Sequence, residues 1–345
     1  MKKSKSMHTA FKSLPIVNIS NLYSQDLEDR KIVAKELKKA ARDVGFLYVT
    51  GHGISKEKIN NLKEVTKEYF SQSYEEKMKN YIGNSTNHSG YVPEGEEIVY
   101  GGGKDKKEAY DVNNDFTESE QIFPLLGPNL WPKQEGFKES VKDYYKSIME
   151  LGKVLLKGFS LALDIDENTF DKYVSNPTNQ LRLLHYPENL DEQNTQIGIG
   201  AHTDYECFTI LLPTAPGLEV LNGEGEWIDV PLIEDTFVIN IGDMLEVLTN
   251  GNFTATSHRV RKVQEERYSF PLFFTCDYET IIKPLAGMKA RSEDKIYEPI
   301  ACGEHLYAQT IHTFTYLQEK LKRGEISLPK KAKDIGTFGQ YKEIQ

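Results

Sequence analysis

The stretch IGIGAHTD at residues 197–204, followed much later by a lone His258, decides the fold and the chemistry that this chain predicts. The run from Ile197 to His202 predicts a short strand, and residues two apart on an extended strand point to the same face. His202 and Asp204 are therefore expected to bind one metal ion together, with His258 as the third ligand. Two histidines and one carboxylate leave three octahedral positions open, which is the ligand set of mononuclear non-haem Fe(II) sites.

A second motif, Arg267-Tyr268-Ser269, follows His258 and strengthens this interpretation. Arg267 and Ser269 share a strand face, where a guanidinium grips a carboxylate with two hydrogen bonds and a hydroxyl adds a third. Tyr186, on the first predicted strand of the core, would add a phenolic donor. An R-x-S sequence is a weak motif by itself. Zinc is the main alternative to iron, because three protein ligands plus water also describe a catalytic zinc site.

Composition and charge limit the class of protein. With 345 residues, of which 39% are hydrophobic and 11% aromatic, the chain is predicted to form an ordered globular core. Its net charge of −10 argues against nucleic acid or an anionic membrane surface as a partner. No apolar signal sequence follows the basic start and no run of about 18 apolar residues exists, so neither export nor a membrane span is expected. Three widely spaced cysteines, Cys207, Cys276 and Cys302, predict reduced thiols in a cytoplasmic protein.

Short apolar runs separated by turn residues predict a β-rich core over residues 176–285. About eight strands in so short a stretch imply a double-stranded β-helix, the jelly roll shared with cupins. The fold class is thus mostly β with flanking helices, with an N-terminal α/β region over 1–175 and a C-terminal helix and basic tail over 286–345. The predicted strands are Leu181–Tyr186, Ile197–His202, Phe208–Leu212, Leu218–Leu221, Trp227–Val230, Thr236–Ile241, Ser257–Arg261 and Tyr268–Phe274.

In the flanking regions, apolar residues at helical spacing predict two helices, and the loss of that spacing predicts one irregular segment. A continuous apolar stripe from Val141 to Ala162 predicts a long helix that packs on the sheet. A further helix is predicted from about Tyr307 to Lys322. Residues 82–132 are rich in glycine and proline and lose all periodicity, so we expect an irregular segment that covers the active site.

The chain resembles the isopenicillin N synthase-like branch of the Fe(II)/2-oxoglutarate-dependent dioxygenases over nearly its whole length. The resemblance is carried by GFLYVTGHGI (45–54), LRLLHYP (181–187), AHTDY (201–205), NIGD (240–243), SHRV (257–260) and the R-x-S motif. It implies that the catalytic centre is Fe(II) bound by His202, Asp204 and His258. It also implies that Arg267 and Ser269, assisted by Tyr186, hold the cosubstrate 2-oxoglutarate.

The reaction implied by this resemblance is the oxidation of a small molecule by O2 and 2-oxoglutarate, as hydroxylation, desaturation or cyclisation. Leu184 is a departure, since many plant members have Asn two residues before the tyrosine. Isopenicillin N synthase itself uses the R-x-S pocket for its substrate's carboxylate, so an oxidase that does not use 2-oxoglutarate is the alternative. A non-catalytic, cupin-like metal-binding protein is a second and much weaker alternative.

Two further segments, GYVPEGEE (90–97) and KEAYD (107–111), resemble bacterial members that include ethylene-forming enzyme. In that family this region helps line the substrate pocket. Glu97 and Arg182 are therefore predicted to contact the substrate, although a solvated acidic loop explains Glu97 equally well. Tyr205, next to a metal ligand, is predicted to reach the pocket if the chain turns there. The sequence predicts neither the substrate nor the oligomeric state.

Overall fold

Two β-sheets, of eight and four strands, form the centre of the computed structural model, which describes residues 9–98, 107–117, 123–188, 199–261, 265–292 and 297–329. The larger sheet has the order β1-β2-β10-β7-β12-β5-β4-β3, the smaller one β6-β11-β8-β9, and β13 pairs with β14. The strands in these ranges are β1 Ile16–Asn18, β2 Phe46–Thr50, β3 Gly90–Val92, β4 Glu108–Asn113, β5 Gln180–Tyr186, β6 Ile199–His202, β7 Phe208–Pro213, β8 Leu218–Leu221, β9 Trp227–Asp229, β10 Phe237–Ile241, β11 His258–Val260, β12 Arg267–Phe274, β13 Ile281–Ile282 and β14 Ile300–Ala301.

Helices flank the sheets. The longest, α4, buries an apolar face that includes Ile148, Leu155 and Phe159 and packs against α1, α2 and β12. No helix among the described residues combines the length and the apolar character needed to span a bilayer. The helices are α1 Leu27–Asp43, α2 Lys56–Phe70, α3 Tyr74–Met78, α4 Phe137–Ala162, α5 Asp243–Leu248, α6 Cys302–Thr313 and α7 Thr315–Lys322.

The fold class predicted for the core is confirmed. Each predicted strand is present in the described residues with small shifts at its ends, while positions 197 and 198 lie outside them. Short apolar runs succeed here as a signal because central strands such as β7 and β10 are buried along nearly their whole length. The strands β1 to β4 join the same sheet as β5, β7, β10 and β12, so the N-terminal region packs directly on the core. The domain boundaries at 175 and 285 stay a prediction.

The expectation of a wholly irregular segment over 82–132 is wrong at two places. Residues 90–92 and 108–113 form β3 and β4, which extend one edge of the eight-stranded sheet. Tyr110 of β4 packs against the rings of Tyr69 and Phe137 in the core. The strand β4 is hard to recognise from sequence because its buried acidic residues, Glu108 and Asp111, depend on distant cations. Residues 99–106 and 118–122 lie outside the described part of the chain.

The C-terminal helix predicted for 307–322 begins earlier and is interrupted. Phe314 adopts an extended conformation, with φ −100° and ψ 128°, and separates α6 from α7. Its neighbours are tied to the segment before residue 99, because the Ile98 amide donates to the Thr313 carbonyl at 2.8 Å and the Thr315 amide to the Glu96 carbonyl at 3.0 Å. This bridge draws the C-terminal helices onto the edge of the sheet formed by β3 and β4. The basic tail lies outside the described residues from position 330 onward.

Candidate metal and cosubstrate site

The three predicted metal ligands converge where β6 ends and β11 begins in the smaller sheet. His202 ends β6, His258 begins β11, and the two histidines are direct partners in the antiparallel register. Asp204 Oδ1 lies 3.5 Å from the Nε2 atom of each histidine, and one ligand atom from each residue lies within 4.8 Å of the others. The strand stops at His202, so Asp204 reaches the site from the turn that follows and not from a shared strand face.

Hydrogen bonds orient all three side chains toward one point. The Nδ1 atoms of His202 and His258 lie 2.8 Å and 3.2 Å from the carbonyls of Gly200 and Thr256, which leaves both Nε2 atoms available. The other carboxylate oxygen of the aspartate, Oδ2, accepts from Asn240 Nδ2 at 2.7 Å and from the Thr209 hydroxyl. Sequence reasoning assigned no role to Asn240 or Thr209. Asn240 opens the NIGD motif, which was the available signal.

The electrostatics of this cluster favour an ionised aspartate. Burial raises the pKa of Asp204, but the imidazoles of His258 and His202 outweigh that effect and hold its pKa well below the usual range. The donor set of two imidazoles and one carboxylate suits a first-row divalent metal such as Fe(II). Among the described residues this is the one group of three such side chains close enough to share an ion. The geometry therefore fits the predicted metal centre.

Arg267 meets the requirement for binding a carboxylate ligand. It is only 1% exposed, and its burial lowers the pKa of the guanidinium. Its Nε donates to the Ala215 carbonyl at 3.3 Å, whereas its Nη1 has no hydrogen-bond partner and no carboxylate pairs with it in the described ranges. The Tyr186 ring lies 4.9 Å from the guanidinium carbon, directly across the strand pair. A buried cation that lacks a counterion is costly, so this position fits an anionic ligand such as 2-oxoglutarate.

Ser269 lies between Arg267 and the cavity in the strand register, because its partner on the neighbouring strand lines the cavity. It is buried two residues from Arg267 on β12 and pairs with Leu184 of β5. Leu184 lines that cavity, although Arg267, Ser269 and Tyr186 do not. The departure noted at Leu184 therefore gives the cavity wall an apolar side chain on the strand next to Ser269.

The cavity has a volume of about 220 Å³ and receives residues from β5, β6, the turn after β6, β12 and α6. His202 and Asp204 lie in its wall, as do the predicted substrate contacts Glu97, Arg182 and Tyr205. The Tyr205 ring lies 5.7 Å from that of His305 on α6, because the chain turns after Asp204. Pockets for drug-sized ligands measure roughly 300–1,000 Å³, so this smaller cavity would suit a correspondingly smaller molecule.

Most of the charge in this cavity is paired. Arg182 Nη2 bonds Glu97, Arg182 Nε lies 2.8 Å from Asp111 Oδ1, and Lys107 Nζ lies 3.1 Å from Glu97 Oε2. Burial raises the pKa of Glu97, but Arg182 and Lys107 hold it well below its usual range. Burial and the charge of Glu97 raise the pKa of Asp111 to about 6 despite Arg182. Glu97 is thus engaged by two cations before any substrate arrives.

Glu206 is a cavity residue that sequence reasoning missed. It is half-buried in the turn after Asp204, where backbone N–H groups of Tyr205 and of Glu206 itself stabilise its carboxylate. Burial and the nearby charge of Asp204 raise the pKa of Glu206 to about 8. The sequence signal for Glu206 was its position directly after Tyr205. A turn that brings Tyr205 to the cavity also brings Glu206 close to it.

Comparison with known proteins gives consistent matches over most of the chain. Residues 14–134 match the family described as "non-haem dioxygenase in morphine synthesis N-terminal", and residues 177–275 match the 2OG-Fe(II) oxygenase superfamily. The chain is 35% identical to homoarginine-6-hydroxylase 2-ODD-C23.1 of Arabidopsis thaliana, covering 89% of this chain and 99% of that protein. It is 33% identical to homoarginine-6-hydroxylase 2-ODD-233 of Oryza sativa, with coverage of 89% and 99%.

A solved structure shows the same similarity in three dimensions. A full-length protein of Neurospora crassa, crystallised in complex with α-ketoglutarate (2-oxoglutarate) and thymine, superposes with a TM-score of 0.75 at 25% sequence identity. The match covers 93% of this chain and 100% of that one. The jelly-roll core and the flanking helices are thus shared with a protein that binds 2-oxoglutarate.

Proposed function

The chain belongs to the 2OG-Fe(II) oxygenase superfamily, and from that premise we propose that its cavity oxidises a small amino acid that carries a cationic side chain. The protein is an Fe(II)-dependent enzyme that uses 2-oxoglutarate and O2 to oxidise a small molecule. The convergence of His202, Asp204 and His258 carries the assignment of the metal ligands, since their ligand atoms meet within 4.8 Å.

His202, Asp204 and His258 would hold the metal, and a set of only three protein ligands would leave coordination positions for cosubstrates. When bound, Fe(II) together with 2-oxoglutarate and O2 supplies the oxidant that removes hydrogen from the substrate. Asn240 and Thr209 hold one oxygen of Asp204, so the carboxylate keeps its other oxygen between the two histidines. The turn at 203–206 forms part of the cavity wall next to these ligands, so a substrate in the cavity would lie close to the metal.

The proposed cosubstrate contacts are Arg267, Ser269 and Tyr186. The buried Nη1 of Arg267, which has no partner in the described ranges, supports a role in binding the distal carboxylate of 2-oxoglutarate. Relatives with 2-oxoglutarate in their names, and a neighbour solved with it, favour this assignment over an oxidase of the isopenicillin N synthase type. The same findings disfavour a zinc hydrolase and a non-catalytic cupin.

The proposed substrate class rests on relatives and on cavity charge together. Four relatives that are 33–35% identical are named homoarginine-6-hydroxylases. Homoarginine carries a guanidinium, an ammonium and a carboxylate, so its site needs side chains of both signs. This cavity supplies Arg182 and Lys107 as cations and Glu97 and Glu206 as carboxylates. Arg182, Glu97 and Tyr205 stay the predicted substrate contacts, with Glu97 also holding Arg182 in place.

A cytoplasmic location is part of the proposal. Cys207, Cys276 and Cys302 are free and buried, which suits a reducing compartment. The net charge of −10 continues to argue against nucleic acid and anionic membranes as partners.

Substrate-dependent turnover tests the proposed class. We would measure succinate release from 2-oxoglutarate under Fe(II) and O2 with L-homoarginine, L-arginine, L-lysine, the neutral L-homocitrulline, and thymine. Cationic amino acids should stimulate succinate release most strongly and gain one oxygen atom in their product mass. Stimulation by thymine or L-homocitrulline alone would contradict the proposal.

A further inference from the structure

The charges around Arg182 balance one another within the cavity wall. Arg182 pairs with Glu97 and Asp111, and Lys107 pairs with Glu97, so two cations face two carboxylates. All four side chains are buried or nearly so, with side-chain exposures of 0–12%. A group that is already paired in a dry environment gains little from a new ion, because the new contact must replace an existing one. This cluster is therefore poorly suited to bind an additional cation.

Glu206 differs from these groups in having no cationic partner. No side chain in the described part of the protein forms a hydrogen bond or an ion pair with its carboxylate, which receives only backbone N–H groups. Arg182 is the cation whose charge influences it, and that charge is shared between Glu97 and Asp111. Glu206 is also outside the group of residues that converge as metal ligands. Among the residues described, its carboxyl group thus lines the cavity without a counterion, so a cation bound there would be its first charged partner.

We propose that Glu206 is the specificity-determining residue that pairs with the cationic group of the substrate, an inference that rests on the proposed function. A carboxylate and a guanidinium or ammonium form charge-assisted hydrogen bonds, which are stronger than neutral ones. A neutral analogue of the same shape leaves the carboxylate unpaired and loses that contact. Because Glu206 follows Asp204 in the same turn, it holds the cationic end of the substrate beside the metal ligands.

Glu97 is the competing candidate for pairing with the cationic group of the substrate, and its existing ion pairs argue against that particular role. Its two oxygens already bond Arg182 and Lys107. Removing its charge would release both cations into the cavity and disturb Arg182. Removing the charge of Glu206 disturbs no side-chain pair in the described residues. The two carboxylates therefore predict different outcomes on neutralisation.

The test compares L-homoarginine with L-homocitrulline, in which a neutral ureido group replaces the guanidinium at equal length. The variants are Glu206→Gln, Glu206→Asp and, as a matched control for net charge, the exposed Glu224→Gln. For each protein we would measure kcat/KM for both amino acids and their Kd under anaerobic conditions with Fe(II) and 2-oxoglutarate bound. Retention of the visible absorption band of the Fe(II)–2-oxoglutarate chelate shows that each variant is folded and loaded.

We expect the wild type and Glu224→Gln to prefer L-homoarginine. Glu206→Gln should reduce that preference by about 30-fold or more, mainly through Kd and KM, as expected for losing one partner of a charge pair. Glu206→Asp should keep the preference in weakened form because it keeps the charge. Equal behaviour of the Asp and Gln variants would overturn the role of charge.

Two results separate this inference from the proposed function. If the wild type prefers L-homoarginine and Glu206→Gln keeps the full preference, Glu206 is not the determinant while the substrate class stands. If the wild type prefers L-homocitrulline, both the substrate class and the role of Glu206 are wrong.

Discussion

Replacing Arg267 with methionine separates ligand binding from stability, because the two should change in opposite directions. The guanidinium is 1% exposed and lacks a carboxylate partner among the described residues. Replacing a buried ion pair by apolar side chains of similar volume is often neutral or stabilising by about 1–4 kcal/mol, and a buried cation without a carboxylate lacks even the attraction of a partner. The lost stacking on Tyr186, about 0.5–2 kcal/mol, partly offsets that gain. We therefore expect Arg267→Met to leave the free protein as stable as the wild type or more stable.

The same substitution should strongly reduce the stabilisation of the protein by 2-oxoglutarate. A ligand that binds only the folded state stabilises it by about 2.7 kcal/mol at a concentration one hundred times its Kd. Losing one partner of a buried charge pair costs about 2–5 kcal/mol, which corresponds to roughly 30-fold or more in Kd. At the concentration that stabilises the wild type by about 2.7 kcal/mol, a Kd weakened 30-fold leaves a shift of about 0.9 kcal/mol, and a larger loss of affinity leaves less.

Chemical unfolding with and without 2-oxoglutarate, under anaerobic conditions with Fe(II), measures both effects in one experiment. Arg267→Lys serves as the control, since an ammonium keeps the charge but lacks the two-pronged geometry and should restore the shift only in part. A full 2-oxoglutarate-dependent shift in Arg267→Met would refute the assignment. A changed Kd for the amino acid substrate with an unchanged Kd for 2-oxoglutarate would instead favour the oxidase alternative.

Three further predictions concern the metal ligands, the turn beside them and the buried ion pairs. His202→Ala should abolish turnover and weaken Fe(II) binding while circular dichroism stays unchanged, because the histidine is half-buried at a strand end; retained Fe(II) affinity would contradict its role as a ligand. Gly242→Ala should weaken Fe(II) binding, measured by anaerobic titration, because its Cβ would lie 2.2 Å from the Glu206 carbonyl oxygen and 3.1 Å from that of Asp204, which forces the turn to move. Glu97 should make the free energy of unfolding depend on pH in the acid range, because its pKa in the folded state lies below the ordinary value of 4.5. Its stabilising contribution is therefore present above about pH 4.5 and is lost as the pH falls toward the folded-state pKa. Urea unfolding of Glu97→Gln between about pH 5 and pH 2 should therefore show a flatter dependence than the wild type, and equal slopes would contradict the prediction.

The sequence by itself predicted the core strands and the three side chains that converge as candidate metal ligands. Short apolar runs between turn residues are a local signal, and this signal held from Gln180 to Phe274 because the central strands β7 and β10 are almost wholly buried. The His-x-Asp spacing and the distant His258 identified the three converging ligands, although Asp204 lies in a turn. The R-x-S motif likewise identified a buried arginine opposite Tyr186.

Only the tertiary structure decided how charge is distributed around the substrate. Glu108 and Asp111 look like loop residues in the sequence, yet β4 is buried because Lys77 and Arg182 reach it from distant elements. The break at Phe314 depends on pairing with a segment more than two hundred residues away. The cations beside Glu97 and Glu206 decide which of the two carboxyl groups is available to a ligand. No local sequence pattern predicts which cations lie there. Apolar patterns and motif spacing are local properties of the sequence, so they could be predicted. Ion pairing and strand register depend on residues far apart in the chain, so only the tertiary structure reveals them.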